Sequence, residues 1–599
     1  MGCRPAGVSP LEKRRGSGLS GFLPSVERAA PCSWRRGRVP ESESYMENNN
    51  RRKIEIEKGI FIPAAAILMA VVLIGFLMPP FFHTAMKVLF DVTTKGFGWF
   101  YLLMSAFLVF LCFGVAISPC GNKVLGGPDA KPEHRVFSWC AMTICSGIAT
   151  AVVFYAVGEP LTYYHIPPAA TGLASETPAA AVRGVQIAAF HWGFVYYGIF
   201  TFWGLVTGYM SMNHNLPARP SSALYPFLKD KIYGPIGKAV DVVSLLALVG
   251  GIVTSLGFGT TQFASGLQFV FGMKPSNLMY VATIVVVTLS YTVSSGRGIK
   301  KGMKIISDTN AYVYIALLIF LFAFGPTVYL LNLLTDVVGS TIMNYIPTAL
   351  NADAFDVGEG WSRMNTVFFM AWIMAYAPLI GLFLAKISRG RTVRQFLLVN
   401  ILAPGTFVIL WFVGFGGNAI YVDHYLGGTI FDTVQALGFP VANFALLNEM
   451  PLSAVTNPMV IAALFLSFIT LADAMTGTIA SMTVKNTLAD EAPVSIKFFW
   501  GILIGATTVL CLFALGEIGT TALQNMSIVY ALPIFIITIP AVGTAIKMAS
   551  GSLDREMEEL AAKAALEKKE EPPVEIIPEA GEPAVIMGAA AVQEIPPVS

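Results

Sequence analysis

Residues 368–394 read FFMAWIMAYAPLIGLFLAKISRGRTVR. An apolar, aromatic-rich run meets Pro378 part-way along and ends in a basic cluster of Lys386, Arg389, Arg391 and Arg394. Phe369, Trp372 and Tyr376 are spaced i, i+3, i+7, so one helical stripe carries all three rings. Pro378 lacks an amide hydrogen, which deprives the Met374 carbonyl of its intrahelical donor. In lipid that carbonyl needs another partner: a neighbouring helix, a water or a ligand. Rings beside a weakened backbone ladder at membrane depth make a place to hold a cation. Ordinary packing around a proline kink would use the same residues, and this stretch alone leaves both readings open.

The rest of the chain sets this stretch in a membrane. Of its 599 residues 55% are hydrophobic and 13% charged, against about 25% charged in a soluble domain. Apolar runs of spanning length lie near 60–82, 97–117, 137–157, 185–210, 239–270, 277–296, 308–331, 364–385, 395–415, 455–484, 498–515 and 523–546. The sequence therefore predicts an all-α polytopic protein of about twelve spans. Polar 332–362 and 416–454 are too long for simple turns, and FDTVQAL in the second reads as a short interfacial helix. Alternate connections carry seventeen and five Lys and Arg residues. The richer side is predicted to be cytoplasmic, which places both termini there.

Residues 1–59 form a polar tail with 12 basic and 7 acidic residues, predicted to be cytoplasmic and disordered. No apolar core of signal-peptide length follows its basic residues, and Met46 is a second candidate start. Residues 547–599 form a cytoplasmic C-terminal tail. Within it LDREMEELAAKAALEKK (553–569) puts Leu553, Met557 and Leu560 on one helical face, before an acidic, Pro-rich and disordered stretch.

Several function classes are excluded. A net charge of +2 offers no field for nucleic acid. Seven cysteines and six histidines show no metal or disulfide spacing. No HExxH or GxSxG motif marks an enzyme, and no cofactor is implied.

Polar residues inside spans are functional candidates by default. The third span is weakened at Ser146-Gly147-Ile148-Ala149-Thr150-Ala151, and the eighth is interrupted at Pro378. Interrupted spans five helices apart point to an inverted-repeat transporter, although close helix packing also explains small residues. The fourth span carries His191, Trp192, Tyr196, Tyr197, Phe200 and Trp203, more aromatics than an interfacial belt needs. Asp308, near a cytoplasmic helix start, is predicted to cap its helix. Asp473 is read equally as a functional carboxylate and as a hydrogen-bonding partner of neighbouring helices.

At these residues the chain resembles the betaine/choline/carnitine transporter family, across about residues 55–545. The carriers are FHWGFVYYGIFTFWGLVTGYM (190–210), RPSSALYPFL (219–228), TSLGFGTTQ (254–262), AKISRGRTVRQF (385–396) and FITLADA (468–474). The resemblance implies a five-plus-five inverted repeat of the amino-acid/sodium-symporter type preceded by two helices. It further implies alternating access, a homotrimer in the plasma membrane (the inner membrane of a bacterium) and a small onium substrate held in an aromatic box. A quaternary ammonium has no hydrogen to donate, so ring faces hold it by cation–π attraction of roughly 0.5–2 kcal/mol per ring.

Carried over by position, the resemblance assigns substrate binding to Trp192, Tyr197, Phe200, Phe369, Trp372 and Tyr376, with Ile148 and Ala149 in the small-residue motif. The family's Trp-rich pattern reads here Met370-Ala371-Trp372-Ile373-Met374-Ala375-Tyr376-Ala377-Pro378, so the box is thinned. Cys145, Ile148, Asn310, Ser467 and Thr470 occupy ion-coupling positions. Leu471 replaces a usual Ser, Leu248 and Ile252 replace threonines of another sodium site, and Asn310 stands where exchangers carry Arg. The reading leans to Na+-driven uptake, with exchange or H+ coupling as the alternatives. Ala151, where choline-type relatives often have Asp, favours a zwitterion. The acidic C-terminal tail predicts no osmotic gating of the kind that reads a membrane surface through a basic tail.

Overall fold

The computed structural model describes residues 55–296, 302–355, 357–485, 492–513 and 519–570. Among them the backbone is helical, with two isolated β-bridges, Ile56–Val484 and Val124–Thr392. In chain order the helices are α1 (Lys58–Leu77), α2 (Pro79–Ile117), α3 (Val136–Tyr155), α4 (Gly158–His165), α5 (Pro178–Trp192), α6 (Phe194–Asn213), α7 (Pro235–Phe271) and α8 (Asn277–Gly296). They continue as α9 (Lys304–Phe324), α10 (Thr327–Ala349), α11 (Phe368–Ile387), α12 (Val393–Phe412), α13 (Asn418–Leu426), α14 (Ile430–Leu437) and α15 (Ala442–Glu449). The last four are α16 (Ser453–Met482), α17 (Val494–Phe513), α18 (Gly519–Ala549) and α19 (Ser552–Glu570).

Each of the twelve expected stretches is helical over most of its described residues, but ten helices of the described residues are long and apolar enough to cross a membrane. The bent pair Val136–Gly147 and Ala151–His165, whose parts meet at 68°, is long and apolar enough only when taken together, and counts as an eleventh if it forms one span. The expected fourth span is divided at Gly193 into α5 and α6, and neither half is both long and apolar enough alone. Polar 332–362 is not all connection. Most of α10 lies there, an amphipathic helix that buries Leu330, Leu333, Val337 and Thr341 on one side. The expected short helix is α14, whose first turn is held by Asp423: its carboxylate accepts from the amides of Ile430 at 3.0 Å and Phe431 at 2.9 Å.

Asp308 corrects an expectation. Its helix begins at Lys304 with Met303 in the cap position, so the carboxylate caps nothing. It accepts instead from Lys304 Nζ at 2.8 Å and Ser138 Oγ at 3.0 Å, tying α9 to α3. Asp473 accepts from Ser294 Oγ at 2.6 Å, a link from α16 to α8.

The deepest helix–helix contact joins α11 to α6. At its centre a Cβ on Gly381 would lie 2.4 Å from the amide nitrogen of Gly204, and one on Gly204 would lie 2.6 Å from the carbonyl oxygen of Gly381. The two backbones touch, as paired small residues allow in membranes. This crossing brings the rings of α11 against those flanking Gly193. The basic cluster then locks the end of α11. Trp139 Nε1 donates to Ser388 Oγ at 2.8 Å, and Arg391 sits 4.7 Å over the Trp139 ring. Arg394 Nε donates at 2.8 Å to the Ala116 carbonyl at the C-terminal end of α2, where a cation suits the helix dipole.

Helix α19 forms as the 553–569 pattern predicts, and Leu553 is buried. Its acidic residues do the anchoring. Asp554 pairs with Lys123 and accepts from Tyr209 OH at 2.7 Å, with His214 Nε2 3.2 Å away. Glu556 bridges Lys229 and Lys547, the latter at 2.7 Å. Burial would raise the Asp554 carboxyl, but the hydrogen bonds from Lys123 and Tyr209 hold it below the usual carboxylate range. An Asp554→Ala variant is expected to release α19. Hydrogen exchange would show protection falling across 552–570 while the spans keep theirs.

Candidate functional site

The 68° bend falls within α3, between Gly147 and Ala151, where the small-residue motif sits. Tyr196 OH donates to the Gly147 carbonyl at 2.5 Å, and a Cβ on Gly147 would lie 2.9 Å from the Tyr197 ring. Glycine is required there because the Tyr197 ring of α6 packs where a side chain would stand. The break at Gly193 likewise turns Trp192 inward at the C-terminal end of α5.

Trp192 and Trp372 meet at the centre of the molecule. Their rings stand 5.7 Å apart at 86° and are 1% and 2% exposed, so neither faces lipid. Together with Gly147, Ala151, Tyr196, Ser255, Ile373, Tyr376 and Leu471 they line a small cavity, about 10 Å³ in free volume. No charged side chain lines it. Tyr376 is held by its hydroxyl, which donates to the Gly251 carbonyl at 2.6 Å and is hydrogen-bonded to Ser255 Oγ. Phe258 stacks edgewise on Trp372 at 5.7 Å from the far side.

The expected site residues divide into two groups. Trp192, Trp372 and Tyr376 line the cavity. Tyr197, Phe200 and Phe369 do not, and serve behind it. Tyr197 OH donates to the Ile144 carbonyl at 3.2 Å. Phe200 lies 4.6 Å from Tyr196 and 6.4 Å from Tyr376, bracing both. Phe369 packs edge-on against Trp192 at 4.9 Å and Tyr155 at 5.3 Å. The side chains of Ile148 and Ala149 lie outside the described residues. The family resemblance points to Tyr197, and in this structure Tyr196 is the tyrosine of α6 that lines the cavity. The break at Gly193 separates both tyrosines from Trp192, so helical spacing gave no signal to choose between them. Ser255, Ile373 and Leu471 come from three separate helices and likewise had no signal.

A second cluster joins α3, α9 and α16. Asn310 Nδ2 donates to Ser467 Oγ at 3.0 Å and approaches Cys145 Sγ at 3.8 Å. Thr470 Oγ1 lies 3.3 Å from the Cys145 carbonyl and 3.0 Å from that of Ser467. Ser467 donates to the Ala463 carbonyl at 2.6 Å while Tyr314 OH lies 2.5 Å from its oxygen. The Asn310 side-chain oxygen is buried with no hydrogen-bond partner. Four of the five expected ion-coupling residues thus meet in one buried place, and it is rich in oxygen. Among the described residues no group of three His, Cys, Asp or Glu side chains could hold a metal.

Behind Trp192 stands Glu159, 2% exposed, in the first turn of α4. One carboxylate oxygen accepts from Trp192 Nε1 at 2.8 Å. The other lies 2.5 Å from His191 Nδ1 and 3.1 Å from Tyr163 OH. His191 Nε2 is 3.0 Å from Thr366 Oγ1.

Residues 59–553 match a family model described as BCCT, betaine/carnitine/choline family transporter. A "Probable glycine betaine transporter" of Desulfitobacterium hafniense (strain Y51) is 34% identical over 476 residues, 80% of this chain and 94% of that protein. Glycine betaine transporter OpuD of Bacillus subtilis (strain 168) is 33% identical over 516 residues, 86% of this chain and 98% of the relative. A high-affinity choline transport protein of Escherichia coli (strain K12) is 33% identical over 489 residues, 81% and 71% of the two chains.

Proposed function

Because this chain belongs to the betaine/carnitine/choline family of transporters, and so is a membrane carrier and not an enzyme, we propose that it takes up a glycine betaine-like zwitterion by alternating access. One observation carries the reading: the perpendicular Trp192–Trp372 pair walls a buried cavity with no charged side chain in its lining. A permanent cation bound there must be held by ring faces, which suits a methylated onium head. Ala151 in that lining supports a zwitterion over choline, since a net cation gains more from a lining carboxylate. Uptake into proteoliposomes, with a panel of glycine betaine, choline, carnitine, dimethylsulfoniopropionate and ectoine, tests the assignment. Saturable accumulation of an onium compound is the expected result, and accumulation of none of them would reject it.

We further propose Na+ coupling at the Cys145–Asn310–Ser467–Thr470 cluster. Hard cations take oxygen ligands, and the Thr470 hydroxyl, the Cys145 carbonyl and the unpartnered Asn310 oxygen supply them. Thr470→Ala is expected to raise the Na+ concentration for half-maximal uptake by about tenfold, roughly one lost ligand at 1.4 kcal/mol. Equal rates with and without Na+ in the wild type would discard the coupling. Sodium-independent exchange is the second reading, favoured by the Asn310 amide, which already donates into the cluster. We place the carrier in the plasma membrane with both termini cytoplasmic, as a homotrimer of the kind the family resemblance implies; crosslinking in the membrane counts the copies.

A further inference from the structure

The cavity's aromatic lining is thin for its task, since Ile373 and Leu471 stand among the rings. A compensating charge lies one layer back. Glu159 is buried, and among the described residues no Lys or Arg forms an ion pair with it; its donors are the Trp192 indole N–H, the Tyr163 hydroxyl and the His191 imidazole. An indole nitrogen only donates, so the bond to Trp192 is a charge-assisted one that polarises the ring towards the cavity. The Glu159 carboxyl group therefore sits directly behind a lining ring. The three donors replace the water that a buried carboxylate forfeits.

We propose that Glu159 is a specificity-determining residue: its carboxylate, held behind Trp192 by the indole N–H, makes the cavity select a permanently cationic head over an uncharged head of the same shape. Glu159 acts through Trp192 and is a positioning and electrostatic residue, not one that touches the substrate. The proposal rests on the onium reading of the cavity. It explains how a lining without charged side chains attracts a cation through a low-dielectric wall, where Coulomb attraction persists across a ring.

The test uses the purified full chain and four ligands: choline, glycine betaine and the tert-butyl isostere of each, in which the head carries no charge. Binding is read by tryptophan fluorescence, and the quantity of interest is the affinity ratio of each onium compound to its isostere. Glu159→Gln keeps an oxygen for the Trp192 N–H and removes the charge, so this ratio is expected to fall by about tenfold. Glu159→Asp keeps the charge on a shorter stem. It is expected to retain the ratio even where both ligands weaken together. Parallel weakening of both ligands in Glu159→Gln, with the ratio unchanged, would overturn the proposal and leave Glu159 as a brace. Should the Gln variant not fold, comparing Glu159→Asp with Glu159→Asn decides, because those two differ in charge and hardly in shape. A wild type that binds neither onium compound would overturn the proposed function and this inference with it. A wild type that binds them, with an unchanged ratio in the variants, overturns this inference alone.

Discussion

Trp372→Ala is expected to abolish tight substrate binding, weakening affinity by about 30- to 1,000-fold, or roughly 2–4 kcal/mol. The ring contributes a cation–π face of about 0.5–2 kcal/mol and a large apolar wall whose loss lets water reach the bound head. Trp192→Ala is expected to fall in the same range, because the two rings meet at 86° and each supplies one wall of the same corner. Trp372 also touches Phe258, Phe368 and Tyr376, so alanine leaves a cavity that itself destabilises the bundle. Trp372→Phe separates the two effects. It keeps most of the packing with a weaker ring face and is expected to bind with intermediate affinity. Binding isotherms on membrane-extracted protein check both variants, and wild-type affinity in Trp372→Ala would remove that ring from the site.

The second large effect is expected at the crossing of α6 and α11. Gly381→Leu forces a side chain into the Gly204 backbone, where even a Cβ finds 2.4 Å. Neither partner atom is a flexible side-chain end, so the helices must separate. Overpacking of a well-packed core costs about 1–3 kcal/mol, and here the clash is with main chain. Little folded protein is expected to survive extraction, measured as the monodisperse fraction on size exclusion and the melting temperature. Gly381→Ala is expected to lower that temperature by several degrees, at about 1–3 kcal/mol. A Gly381→Leu protein with wild-type melting would show that the helices do not cross as closely as described.

The two effects share one origin, which is how the aromatic stretch is presented. Its rings sit on one helical stripe, but they form a wall only because Gly204 and Gly381 let α6 approach, and because Gly193 turns Trp192 inward. The basic residues after α11, read first as a topology signal, also fasten that helix to the Ala116 carbonyl and to the Trp139 ring. The acidic residues of α19 close on Lys123, Tyr209 and Lys229.

What the chain's order of residues determined alone was the membrane class, the position of nearly every span, the short helix around FDTVQAL, the helix at 553–569 and the stripe that carries Phe369, Trp372 and Tyr376. These follow from apolar run length and from helical periodicity, which are local properties. The tertiary structure alone decided that Tyr196 and not Tyr197 lines the cavity and that Asp308 ties two helices and caps none. It alone placed Glu159 behind Trp192, 33 residues away in the chain. Those choices depend on how two broken helices are turned relative to one another. A break such as the one at Gly193 resets the rotation of everything after it, so a residue's face cannot be counted across it from spacing.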